Sequence, residues 1–149
     1  MKKTIFIIIT VFLLSCNKTE DCGACFTPPQ PFLFEIADKV SGENLFTNGT
    51  YNYEEIEIIN SLNNNSPIEF KFITEDNVNL IQINSIRWST EIVNLKFYVS
   101  NQYLFDFYVD AERKSEDCCD FTQYNEIIIT GSEFVELSPQ SGAYTILVE

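Results

Sequence analysis

The chain reads as all-β, an antiparallel β-sandwich of about seven or eight strands, and three observations point that way. Apolar and polar residues alternate with a period of two over short runs. Gly, Asn, Ser and Pro cluster between those runs, and no helical period of useful length competes with them. Strands at short, regular spacing suit a two-sheet architecture because each has one face to bury.

Residues 1–15 stand outside that fold. Lys2 and Lys3 make a basic start, an apolar run extends from Ile5 to Leu14, and a small residue closes it, which is the layout of a secretory signal. A run of about ten residues falls short of the roughly 20 needed to cross hydrocarbon, so a membrane span is the weaker reading. Leu13-Leu14-Ser15-Cys16 resembles the lipobox of bacterial lipoproteins. The resemblance implies that Cys16 takes a diacylglycerol and becomes the new N-terminus, so that the chain meets the membrane through a lipid anchor. Lys18, Glu20 and Asp21, with Thr19 between the base and the acids, resemble the export signal of Bacteroidota lipoproteins. That implies an outer-membrane protein displayed at the cell surface. The competing reading is a polar tether that only holds the domain off the membrane.

Without the signal, 134 residues remain, enough for one domain with a proper core and too few for two. The division expected is a signal peptide at 1–15, a lipidated Cys with an acidic, Pro-rich tether at 16–31, and one β-sandwich domain at 32–149. Loss of Lys2 and Lys3 leaves 7 basic side chains against 22 acids. Such a surface repels nucleic acid, which is excluded as a partner.

Cys22, Cys25, Cys118 and Cys119 form an even set in an oxidising compartment. A bridge between the neighbours Cys118 and Cys119 needs a strained small ring, so two cross-links from the 22/25 pair to the 118/119 pair are favoured. Two other chemistries stay open. Cys22-Gly23-Ala24-Cys25 has redox-pair spacing, although Pro28, Pro29 and Pro31 deny it the helix that lowers a thiol pKa. A tetrathiolate zinc site is possible, with vicinal ligands an awkward fit to a tetrahedron.

The strands follow in order. Phe32, Phe34 and Ile36 share a face, with Glu35 opposite, and turn residues follow at Ser41-Gly42-Glu43-Asn44 and Asn48-Gly49. A strand over 51–59 turns Ile56 and Ile58 inward. Ile68, Phe70 and Phe72 alternate with Glu69 and Lys71 in the cleanest run of the chain. The run over 80–88 changes phase at Ser85, which predicts a bulge or a break, and Trp88 reads as a core plug rather than a ligand platform. Leu95, Phe97 and Val99 pair in a hairpin with Phe105, Phe107 and Val109. The charged stretch 111–120 reads as a loop or short helical turn. Ile127 and Ile129, then Tyr144, Ile146 and Val148, point inward from the last strands. An immunoglobulin-like or related Greek-key topology is the expectation.

The chain has no His, which removes Ser-His-Asp and Cys-His nucleophilic sites together with His-rich zinc hydrolases. No phosphate-cradling or nucleophile-elbow motif is present. Glu54, Glu55 and Glu57, or Glu116, Asp117 and Asp120, are the carboxylate groups available for acid/base work on a sugar, and both read better as solvated faces. Neither the 116–120 cluster nor the stretch 75–79 has calcium-loop spacing. No catalytic residue, cofactor or metal ligand is therefore assigned.

Taken together, the acidic tether, the CxxC-like start, Phe32 to Ile36 ahead of Ser41-Gly42-Glu43-Asn44-Leu45-Phe46, the Cys118-Cys119 loop and the terminal strand resemble small flavobacterial-type Bacteroidota lipoproteins, a resemblance that implies no activity. The function expected is a non-enzymatic binding or structural module of the cell envelope, with a protein or glycan as partner. The alternative is a small carboxylate-dependent glycan hydrolase or processing enzyme.

Overall fold

The structure, a computed structural model, describes residues 25–116, 118–138 and 141–149. Cys16, Lys18, Glu20, Asp21, Cys22 and Asp117 lie outside the described residues. Among the described residues the chain is nearly all β, with no α-helix and two short 3₁₀ turns, Tyr53–Glu55 and Glu75–Asn77.

The strands are β1 (Cys25–Phe26), β2 (Phe32–Asp38), β3 (Ile56–Asn60), β4 (Ser66–Pro67), β5 (Lys71–Ile73), β6 (Leu80–Ile83), β7 (Glu91–Val99), β8 (Gln102–Glu116), β9 (Cys119–Thr130), β10 (Glu133–Glu136) and β11 (Ala143–Val148). They form a six-stranded sheet in the order β1-β9-β8-β7-β3-β4 and a five-stranded sheet in the order β10-β11-β2-β6-β5. The count exceeds the expected seven or eight, roughly, because edge pieces as short as β1 and β4 have too few residues to alternate. Nor are the sheets purely antiparallel. β1 runs parallel to β9, and β2 runs parallel to β11. Alternation encodes which face a side chain takes and says nothing about the direction of the neighbouring strand.

The faces fall where alternation puts them. Phe32, Phe34 and Ile36 of β2, Leu95, Phe97 and Val99 of β7, and Phe105, Phe107 and Val109 of β8 are buried, as are Tyr144, Ile146 and Val148 of β11. All belong to one hydrophobic cluster fed by both sheets. Phe34 sits at its centre, with ring centroids 5.0 Å from Phe97, 5.4 Å from Phe105 and 4.9 Å from Phe107. Such aromatic pairs add about 0.5–1.5 kcal/mol each beyond the area they bury. The β7–β8 hairpin turns at Ser100 and Asn101, whose φ values of 52° and 64° suit a mirror-image turn that follows strand twist. A register shift after Phe97 then lets the consecutive residues Leu104 and Phe105 both face the core.

Several elements differ from expectation, the first being the strand over 51–59, which begins only at Ile56 behind the turn Tyr53–Glu55. The run through Ile68, Phe70 and Phe72 is no single strand: β4 pairs with β3 in the first sheet, and β5 pairs with β6 in the second. A period of two is the same whichever sheet supplies the partner. The charged stretch 111–120 is a ribbon instead of a loop. Ala111 through Glu116 pair with Tyr124 through Cys119, and Cys118 makes the turn with φ 68°. Its charges mark strands that run past the core: Ala111 is still buried, and exposure grows toward Ser115 and Glu116.

Candidate ligand cleft between the sheets

The segment that starts at Cys25 is fastened to the six-stranded sheet although it falls in the stretch read as tether. Cys25 and Cys119 are register partners joined by a disulfide, with Cα atoms 4.5 Å apart across a sequence separation of 94. This is one of the cross-links expected between the two cysteine pairs. Sulfurs joined in this way are not available as thiolate ligands for zinc. Cys118 is also disulfide-bonded, and Cys22 lies outside the described residues. Beyond the bridge, Thr27 N–H donates to the Asp120 carbonyl at 2.8 Å. Arg113 Nη1 donates to the Thr27 carbonyl at 2.9 Å and to Thr122 Oγ1 at 3.0 Å, and its guanidinium lies 4.9 Å from the Phe26 ring centroid.

Trp88 completes this fastening and is not a core plug. It is 53% exposed, its ring stacks on Phe26 at 6.2 Å, and its Nε1 donates to the Asn84 carbonyl at 2.7 Å. The reason lies in the residue before it. β6 ends at Ile83, so the phase change at Ser85 is a break, and Arg87 adopts φ 78°. That left-handed backbone interrupts the alternation, sending Trp88 out and Arg87 in.

Arg87 is 1% exposed. Its backbone is pinned on both sides: the N–H donates to Glu91 Oε1, and the carbonyl accepts from Thr122 Oγ1 at 3.1 Å. Nη1 donates to the Tyr124 hydroxyl at 2.7 Å, Nε donates to the Ile86 carbonyl at 3.3 Å, and the guanidinium carbon lies 3.9 Å from the Phe32 ring centroid. Nη2 is buried and has no hydrogen-bond partner among the described residues. Among the described residues, no carboxylate forms a salt bridge with this guanidinium. Burial pushes its pKa down, against the pull of Tyr124 and Glu91. A guanidinium stays charged nonetheless, so the site holds a cation in low dielectric with one nitrogen, Nη2, unpartnered among the described residues.

Above it opens a cleft of about 650 Å³, at the edge where β9 of one sheet faces β10 and β11 of the other. Phe121, Ile127, Phe134 and Tyr144 supply much of its wall, and the segment at residues 27–30 supplies another side. This volume lies within the usual range for small-molecule sites, about 300–1,000 Å³. The Tyr144 phenol is pushed above its ordinary pKa, first by burial and then by Glu136. Glu136 is the one carboxylate on the lining among the described residues.

The carboxylates singled out in the sequence lie elsewhere. Glu54 and Glu55 sit on the 3₁₀ turn before β3, where Glu55 Oε2 accepts from Ser100 Oγ. Glu57 is on β3, Glu116 ends β8 and Asp120 follows Cys119 on β9. No three His, Cys, Asp or Glu side chains converge as a metal site among the described residues. Neither Arg87 nor Tyr124 stood out in the sequence. The available signal was Arg87 itself, a charged residue directly after Ile86 where an apolar run breaks phase. No protein-family model matches this chain, and neither a curated protein nor a solved structure is significantly similar to it.

Proposed function

We propose that this chain is a lipid-anchored lipoprotein of the cell envelope, held to the outer membrane through Cys16 and displayed outward by Lys18, Glu20 and Asp21. Its domain, read as a β-sandwich of immunoglobulin-like or related Greek-key type, acts as a non-enzymatic binding module. The observation that carries the binding reading is the cleft between the sheets, floored by a buried cation and walled by aromatic rings. The Cys25–Cys119 bridge supports the location, because disulfides persist in oxidising compartments.

Fatty-acid labelling of growing cells tests the anchor: label is expected on the wild type and absent from Cys16→Ala, and label that persists in the variant overturns it. Protease shaving of intact cells is expected to remove the domain, and replacing Lys18, Glu20 and Asp21 with Ala is expected to protect it. For the binding reading, pooled glycans and peptides are expected to come back from the purified protein unchanged. Turnover that vanishes in Glu136→Gln, with the fold intact, would favour a carboxylate-dependent hydrolase instead.

A further inference from the structure

We infer that the cleft binds a small organic monocarboxylate with an apolar or aromatic body, the carboxylate lying toward Arg87 and the body against Phe121, Phe134 and Tyr144. This deepens the binding-module reading and rests on it.

The charge count selects the head group. Arg87 is a buried cation with an unused donor at Nη2 and no carboxylate partner in a salt bridge among the described residues, so one formal negative charge completes it. A carboxylate suits the planar fork of a guanidinium, and in low dielectric such charge-assisted hydrogen bonds are about twice as strong as neutral ones. A phosphate dianion brings more charge than one guanidinium balances, and it meets Glu91 and Glu136 close by. The Tyr124 hydroxyl already accepts from Nη1, which fixes the guanidinium and leaves its Nη2 edge for the ligand.

The walls select the body. Ile127 and Phe134 are 36% and 45% exposed, apolar surface that a ligand covers at about 25 cal/mol per Å². Burial of an aryl or alkyl group there also excludes water from the ligand's carboxylate, which strengthens its ion pair with the guanidinium. The bridge and the Arg113 contacts hold one rim in place, so little ordering accompanies binding.

The test is calorimetric titration of the full chain in a non-ionic detergent, with detergent alone as blank. Phenylacetate and octanoate are the probes; phenylacetamide, octanamide and inorganic phosphate are the controls. The acids are expected to bind at least about tenfold more tightly than their amides and than phosphate, a loss of one charged partner being worth that much or more. Arg87→Met is expected to abolish the preference for acid over amide. Glu136→Gln, a change at an exposed position that leaves the core untouched, is expected to tighten acid binding about two- to fivefold by removing a like charge. If neither acid outbinds its amide, or if folded Arg87→Met keeps the preference, the inference is wrong. Should Arg87→Met fail to fold, unchanged acid affinity in Glu136→Gln overturns it. Labelling at Cys16 and chemical recovery of the probe are read separately, so failure here leaves the anchor and the non-enzymatic reading standing.

Discussion

Along β8 the two sheets close on each other; along β9 they stand apart. Phe34, Phe97, Phe105 and Phe107 meet where they close, none more than 1% exposed, with Phe34 against each of the other three. Across the opening, Ile127 and Phe134 keep more than a third of their surface in water, and a cation, Arg87, lies buried beside Phe32. Both regions come from the same alternation of apolar and polar residues. Alternation decides which way a side chain points, and the distance to the opposite layer decides whether it meets protein or solvent.

The largest effect that can break this comparison is at the core. Phe34→Ala is expected to cost about 3–5 kcal/mol, read from the urea midpoint, because its neighbours cannot close the cavity. Phe134→Ala at the cleft wall is expected to cost under about 1 kcal/mol. Equal losses at the two sites would show that the cleft is packed as tightly as the core.

Next comes the fastening of the rim. Replacing Cys25 and Cys119 by Ser is expected to cost about 2–4 kcal/mol, the usual range for a disulfide, and to expose residues 25–30 to protease. Non-reduced peptide mapping is expected to recover Cys25 joined to Cys119 and Cys22 joined to Cys118. Recovery of zinc with the protein in equal amount would contradict the second pairing.

Arg87→Met sharpens the comparison from the other side. Replacing a buried charge, which no salt bridge among the described residues compensates, by an apolar side chain of similar length is expected to leave the ligand-free protein as stable as before, or more stable by about 1–2 kcal/mol. Thermal denaturation of ligand-free protein checks it. A clear loss of stability would show that the guanidinium's contacts with Phe32 and Tyr124 also hold the fold together.

The smallest expected effect is in alkali. The Tyr103 phenol is pushed up to about 12, mainly by burial and then by Asp106. A folded pKa above the unfolded one contributes stability that is complete below about pH 10 and fades as pH rises toward the folded value. Tyr103 is 42% exposed, so screening keeps the loss under about 1 kcal/mol. Tyr103→Phe is expected to remove that slope from a plot of urea midpoint against pH.

Much of the fold is legible in local residue order. Phe32, Phe34 and Ile36 announce a strand and its buried face, Ser100-Asn101 announces the hairpin turn, and the phase change at Ser85 announces the end of β6. Four cysteines in two close pairs announce long-range bridges. These are short-range facts, set by a period of two, by which residues accept positive φ and by the parity of thiols.

Partnership between distant strands is of another kind. That β4 and β5 serve different sheets, that β2 runs parallel to β11, and that residues 111–116 pair in a ribbon all depend on contacts far along the chain. The exchange of Trp88 and Arg87 belongs with them. Hydrophobicity favours the indole inside, but one left-handed residue, held by Glu91 and Thr122, reverses the two. The cleft follows from that reversal together with the separation of β9 from β10 and β11. Neither the burial of a charge nor the gap between two layers is written in any short stretch of residues, because each is settled by side chains that meet only after the sheets have formed.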